Sequence, residues 1–171
     1  MRTTNVFRNK SSVVRLTYCG MLIALSAVGA MIKISGSIAF DSMPGFFAAL
    51  FLGPMEGAIV AALGHLLTAA TSGFPMTLPM HIFLIIEMGL IAYVFGHIYK
   101  KRGGGIVASI VAIVLNGPIG TLIAVPLSVV IGLPLNGWPL FSALIVPLTL
   151  ASVANVLLAL LVFKALNNRI N

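Results

Sequence analysis

The sequence predicts an all-α integral membrane protein, a compact bundle of six transmembrane helices. Of its 171 residues, 60% are hydrophobic and only 8% are charged, against about 45–50% and 25% in a soluble domain. Its apolar residues gather into runs separated by Gly, Pro and short basic clusters, the pattern of spans and their connections. Each span needs about 20 apolar residues, so this length has room for roughly six short spans and little else. The chain therefore reads as a single transmembrane domain over 1–171 with a short basic lead-in over about 1–14. Soluble catalytic and DNA-binding domains are excluded.

The apolar runs fall at about 15–34, 40–53, 55–72, 78–99, 105–132 and 139–165. The lead-in, MRTTNVFRNKSSVVRL, is basic like a signal peptide, but no small-residue cleavage site with a soluble chain beyond it follows. It reads as a cytoplasmic segment. In the first run, YCGMLIALSAVGA sets Gly20 four residues before Ala24 and Ser26 four before Ala30, a spacing that lets another helix approach closely. Internal packing and docking of a partner are both consistent with it. The one cysteine, Cys19, cannot form an internal disulfide, and no Cys/His cluster has zinc-ligand spacing.

The second run is too short to cross a bilayer alone unless the membrane thins. Asp41 heads it in AFDSMPGFFAAL, with Pro44 in the first turn, a helix-capping arrangement first and a ligand contact second. Glu56 opens the third run after Gly53-Pro54, again a favourable place for an acid, with no ligand role assigned. Three outer connections, about Ser35–Ala39, Ser72–Thr77 and Gly132–Trp138, are short and rich in Gly, Pro and Ser. They read as irregular backbone that is buried in protein or lines a cavity.

The net charge of +7 could suggest nucleic acid, but the basic residues form short clusters between apolar runs. They set topology instead. Arg2, Arg8, Lys10 and Arg15 lead in, Lys100, Lys101 and Arg102 follow the fourth run, and Lys164 and Arg169 follow the sixth, leaving Lys33 alone on the other side. The expected location is the bacterial plasma membrane, multi-pass, with both termini cytoplasmic.

The scarce polar groups concentrate in GHLLTAATSGFPMTLPMHIFLIIE, Gly64 to Glu87, which carries two of the three histidines and one of the three acids. Counting along the helices from their cytoplasmic ends places His65, Glu87 and Asn116 at about 18, 19 and 21 Å. Ionisable groups at such depth face the bundle interior or a watery cavity, so these three are candidate ligand contacts, with helix-fastening hydrogen bonds as the alternative. His81 lies higher, about 120° around its helix from Glu87, either at a pocket rim or as an interfacial residue. Asn155 is helix glue or the floor of the pocket. Phe74 and Trp138 are interface anchors or ring-stacking groups.

No phosphate loop, HExxH pair, G-x-S-x-G elbow or paired acidic motif occurs, and the glycines at Gly103–Gly105 form only a turn. Energy for any uptake must come from a partner.

Across essentially its whole length the chain resembles the substrate-binding S components of energy-coupling factor (ECF) vitamin transporters. The resemblance is carried by its size, its six runs, the small residues of the first, and DSMPGFFAALFLGPMEGAIVAALGHLLTA over the second and third. Within the family, DSMPGFFAAL, GHLLTAATSGFP and the following LPMH look most like the subgroup linked to α-ribazole, a benzimidazole riboside and cobalamin precursor. The resemblance implies a ligand taken from outside and docking through the first helix onto a membrane scaffold driven by two ATPase subunits. It also implies that Gly20 and Ala24 form the docking contact, where the family pattern has alanine at both positions. No cofactor belongs to this chain; ATP is used by the partners. The substrate-binding set is then His65, Glu87, Asn116, His81, Phe74, Trp138, Asn155 and Asp41, with no metal ligands and no enzyme activity. Other S-component ligands (riboflavin, pantothenate, folate, cobalt or nickel), a structural membrane scaffold and an intramembrane enzyme are the competing readings.

Overall fold

Ser11 opens the first helix by accepting a hydrogen bond from the Val14 amide at 3.5 Å, which satisfies one of the donors a helix start leaves free. This helix is α1 (Ser12–Gly29). The structure, a computed structural model, describes residues 11–35, 38–102 and 104–170, and the side chains of all these except 33–35, 102, 169 and 170. Arg2, Arg8 and Lys10, and the side chains of Lys33, Arg102 and Arg169, lie outside this description. Helix makes up 85% of the structure.

α1 ends earlier than the sequence suggests because the chain folds back on it. A Cβ on Gly29 would sit 2.2 Å from the Phe40 carbonyl oxygen, so only glycine admits the returning backbone. Instead of an irregular connection, β1 (Lys33–Ser35) pairs antiparallel with β2 (Ile38–Ala39).

The chain then enters α2 (Met43–Phe51), only nine residues long. At about 1.5 Å per residue it reaches less than half of a hydrocarbon core roughly 30 Å thick. Asn155, far away in sequence, caps it: its Oδ1 accepts the Met43 N–H at 2.8 Å. Asp41 makes no such bond, and the residue at the cap position is Ser42. The capping role expected of Asp41 therefore belongs to Asn155, which frees the acid for the interior.

Gly53, at φ 147°, turns the chain into α3 (Pro54–Thr71), with proline at its first position. α2 and α3 meet backbone against side chain at two points. A Cβ on Gly45 would come within 2.6 Å of the Ala61 Cβ, and one on Gly57 within 2.4 Å of the Ala49 Cβ. The two glycines alternate between the helices, so each fits the alanine of the other. Arg15 and Glu56 form an ion pair that joins α1 to α3.

α4 (Thr77–Arg102) follows, then α5 (Gly105–Val114), a π turn (Leu115–Ile119) and α6 (Gly120–Ile131) in one run. The π turn contains Pro118, which lacks the N–H an α-helix needs there, so the helix widens by a residue instead of breaking. Gly132, left-handed at φ 73°, ends the run. α7 (Gly137–Ile170) completes the chain with 34 residues.

Among the described residues there are six helices, counting α5 to α6 as one, and four of them are long and apolar enough to cross a membrane: α1, α4, the α5–α6 run and α7. The expectation of six crossing helices is corrected for α2 by its length, and α3 with 18 residues and the polar Glu56 and His65 is less apolar than those four. Large apolar side chains point outward along them, Val130 at 83% and Ile106 at 78% exposure, the reverse of a soluble protein. Inside, Phe46 of α2 meets Phe95 of α4 edge to face at 5.3 Å, and Cys19 packs with Ala48, Leu52 and Val60.

Gly57→Ala should lower the unfolding midpoint of the detergent-purified protein, at a cost of roughly 1–3 kcal/mol for the overpacked α2–α3 contact. An unchanged midpoint would show that the helices separate without penalty.

Candidate functional site

Polar side chains in this bundle fall into two groups according to whether their hydrogen bonds are already made. Thr68, Thr121 and Ser152 donate to the carbonyl four residues back in their own helices, which satisfies them without a partner helix. Asn155 is taken up as well: besides capping α2 it donates to the Ala39 carbonyl at 3.1 Å and the Ala151 carbonyl at 2.9 Å. It ties α7 to the hairpin and to α2 at once, and both amide hydrogens are occupied.

A cavity opens at the end of the bundle where the hairpin sits, bounded by β2, the start of α2, α3, α4, the π turn with α6, and α7. Asp41, His65, Glu87, Asn116 and Asn155 all line it. The arrangement brings together five of the eight residues proposed for binding. The rest of the lining is mostly apolar: Met76 just before α4, Met80, Leu84 and Met88 along α4, and Leu144, Leu148 and Ala151 along α7. These positions recur every three or four residues, one face of each helix. That stripe is the sequence signal for this lining. Periodicity does not single it out, because the remaining faces of α4 and α7 are also rich in apolar residues.

Glu87 reaches the cavity beside Gly120, where a Cβ would lie 2.5 Å from its Oε1. Its carboxylate makes no hydrogen bond or ion pair among the described residues. Asn116 is carried inward by the π turn and donates from Nδ2 to the Ser152 hydroxyl at 2.8 Å, while its Oδ1 accepts no bond among the described residues. Asp41 accepts from the Ser42 hydroxyl at 3.1 Å through Oδ1, and its Oδ2 faces His65 Nδ1 at 3.6 Å. Among the described residues no Lys or Arg lines the cavity. Its enclosed volume is about 60 Å³.

Three residues proposed for binding lie elsewhere. His81 is fully buried rather than interfacial, and it stands behind His65 instead of at the cavity, its Nδ1 3.4 Å from His65 Nε2. Phe74 packs its edge on the His81 ring at 5.7 Å, in a connection where Phe74 (φ 51°) and Thr77 (φ 67°) both take left-handed backbone. Trp138 is 64% exposed and leans on Phe141 at the start of α7, so it does not cover the cavity. Burial explains the difference: the Phe74 connection has histidine to pack on, whereas Gly137 at φ 62° turns the chain so that the indole faces outward.

No cluster of three or more His, Cys, Asp or Glu with metal-binding geometry occurs among the described residues. The family model for the ECF transporter substrate-specific component matches residues 14–167. The chain belongs to this family. No curated protein and no solved structure matches it.

An S component is a membrane transporter subunit that binds a small-molecule substrate and works with a scaffold and ATPase subunits. In this S component the two small-residue pairs of α1 face opposite ways. Ser26 and Ala30 are buried, Ser26 against Gly64 of α3, where a Cβ would be 2.7 Å from its hydroxyl oxygen. Gly20 and Ala24 are exposed, and among the described residues nothing lies within 4 Å of a Cβ placed on Gly20. Internal packing thus accounts for the second pair only.

Asn155→Ala should destabilise the folded S component by roughly 1–3 kcal/mol, since it leaves the buried Ala39 carbonyl and the α2 N-terminus unpartnered. Glu87→Gln should leave the unfolding midpoint near that of the wild type. Equal midpoints for Asn155→Ala and the wild type would remove the clamp role.

Proposed function

We propose that the cavity is the substrate site of this S component and that it takes α-ribazole, a neutral, flat benzimidazole joined to a ribose. The carrying observation is its lining: two carboxylates, an imidazole and a free amide oxygen among methionine and leucine, with no cation among the described residues. Asp41, Glu87 and the Asn116 Oδ1 are acceptors, suited to the hydroxyl donors of a sugar. The thioethers and leucines suit an aromatic ring face. Anionic vitamins fit poorly, because a buried carboxylate or phosphate calls for Arg or Lys and would here meet like charges.

An enclosed volume of about 60 Å³ is far below the roughly 300–1,000 Å³ of occupied ligand pockets. Binding therefore requires the wall to yield. Met76, Met80 and Met88 are unbranched and adopt new rotamers at low cost, and the hairpin and the Phe74 connection cover the same end. We place that end outward and both termini in the cytoplasm, as the basic clusters suggest. ATP is consumed by the partner subunits, and this chain carries no cofactor.

The exposed Gly20–Ala24 face of α1 is the proposed docking surface for the scaffold. Close helix approach needs small residues, and this pair is exposed among the described residues.

A thermal-shift screen of the purified protein against α-ribazole, riboflavin, pantothenate, folate, thiamine, biotin and divalent cobalt or nickel tests the ligand. A saturable shift with α-ribazole is expected, growing with the logarithm of its concentration over Kd; a shift with another member of the panel would replace the substrate. Glu87→Gln or His65→Ala should weaken binding about tenfold or more, the first by changing a carboxylate acceptor and the second by removing the ring that lines the cavity and faces Asp41. Undiminished affinity in both would take them out of the site. Gly20 and Ala24 are exposed among the described residues, so Gly20→Leu and Ala24→Leu should each preserve ligand affinity while reducing copurification with scaffold and transport. Normal transport would rule out this face.

A further inference from the structure

We infer that His81 is a positioning residue for substrate binding: fully buried and outside the cavity, it fixes the tautomer and ring orientation of His65, which lines it. The inference rests on the cavity being the substrate site.

Three elements converge on His65. From the segment preceding α2, Asp41 Oδ2 lies 3.6 Å from its Nδ1; from α4, His81 Nδ1 lies 3.4 Å from its Nε2. Asp41 Oδ2 has no hydrogen-bond partner, so the imidazole is the donor that faces it. The neutral ring then carries its hydrogen on Nδ1, and Nε2 is an acceptor. That acceptor is buried behind the cavity wall, and the group set against it is His81 Nδ1, which must be protonated to donate.

The reverse arrangement fails at both ends. A hydrogen on His65 Nε2 would turn the bare Nδ1 lone pair toward the carboxylate, and His81, accepting at Nδ1, would carry its own hydrogen on Nε2, a buried donor with no partner among the described residues. The consistent arrangement is a directed chain, His81 Nδ1–H to His65 Nε2 and His65 Nδ1–H to Asp41 Oδ2. His81 is held for this task. Its exposure is 0%, Phe74 closes one edge at 5.7 Å, and the His65 ring lies at 5.5 Å and 34°. Its own Nε2 is buried without a partner, so its single tie to a polar neighbour among the described residues is the one to His65.

Without His81, Nε2 of His65 loses its donor and the ring is free to turn away from Asp41. Both groups would then present different edges to a ligand. Outer partners of this kind are what fix the tautomer of a functional histidine in other settings.

Nitrogen NMR of the full-length protein, ¹⁵N-labelled at histidine, tests this in mildly alkaline buffer with no ligand present. The chain has three histidines, and His97→Gln and His65→Ala assign the signals. Wild-type His65 should be neutral with Nδ1 protonated and Nε2 bare. His81→Phe, which fills the space but donates nothing, should shift His65 to mixed tautomers, and His81→Asn, whose amide nitrogen replaces Nδ1, should restore the wild-type signal. His65 protonated on Nε2 in the wild type, or unchanged in His81→Phe, would overturn the inference; the wild-type spectrum alone decides it if His81→Phe fails to fold. Titration with α-ribazole adds the functional arm: His81→Phe should bind about tenfold more weakly and His81→Asn near normally. A changed tautomer with unchanged affinity would refute the positioning role, whereas absence of α-ribazole binding in the wild type would refute the substrate and leave the tautomer result to stand.

Discussion

The close approach of α2 and α3, set by Gly45 against Ala61 and Gly57 against Ala49, is the constraint on which the rest of the structure depends. α2 is too short to cross a membrane and has no hydrophobic length to hold it in place. Packing fixes it instead. In hydrocarbon, apolar side chains gain little by leaving lipid for one another, so contact distance and internal hydrogen bonds must supply the stability. The two Gly–Ala contacts give α2 its position against α3, and the Asn155 amide fixes its start. Asp41, two residues before that start, is thereby delivered to His65.

The same economy of polar groups separates frame from site. The Thr68, Thr121 and Ser152 hydroxyls bond within their helices, and Asn155 is fully engaged by backbone. Asp41, Glu87 and the Asn116 Oδ1 keep capacity in reserve. An acceptor left free in a bilayer costs several kcal/mol unless water or a ligand meets it, so free acceptors grouped at one cavity mark a place meant to be filled. The π turn contributes directly, since it rotates Asn116 inward and is followed by the glycine that makes room for Glu87.

Much of this was legible in the residues. Helix number followed from apolar runs and their breaks, and counting rise per residue picked out His65, Glu87 and Asn116, which line one cavity. Where reading failed, the cause was a contact between residues remote in sequence. Nothing local to Asp41 reveals that Asn155, on the last helix, takes over its capping role. Nothing in the first apolar run announces that Phe40 returns against Gly29 and ends the helix. His81 was placed by its position near a helix start, while its burial depends on Phe74 and His65 closing around it. The orientation of the two small pairs in α1 depends on which face α3 occupies. In a chain where every helix is apolar all round, periodicity cannot say which side faces lipid.

The connection between α3 and α4 has an energetic consequence. Phe74 and Thr77 hold left-handed backbone without being glycine, and Thr77 is β-branched, for which that region is a marked outlier. Such conformations cost on the order of 1–3 kcal/mol each. The segment that rests on His81 is therefore a loaded spring. Lifting it would relieve torsional energy that offsets part of the lost Phe74 contact, so the cost of displacing this connection is the difference between two opposing quantities and is tuned by the residue at position 77.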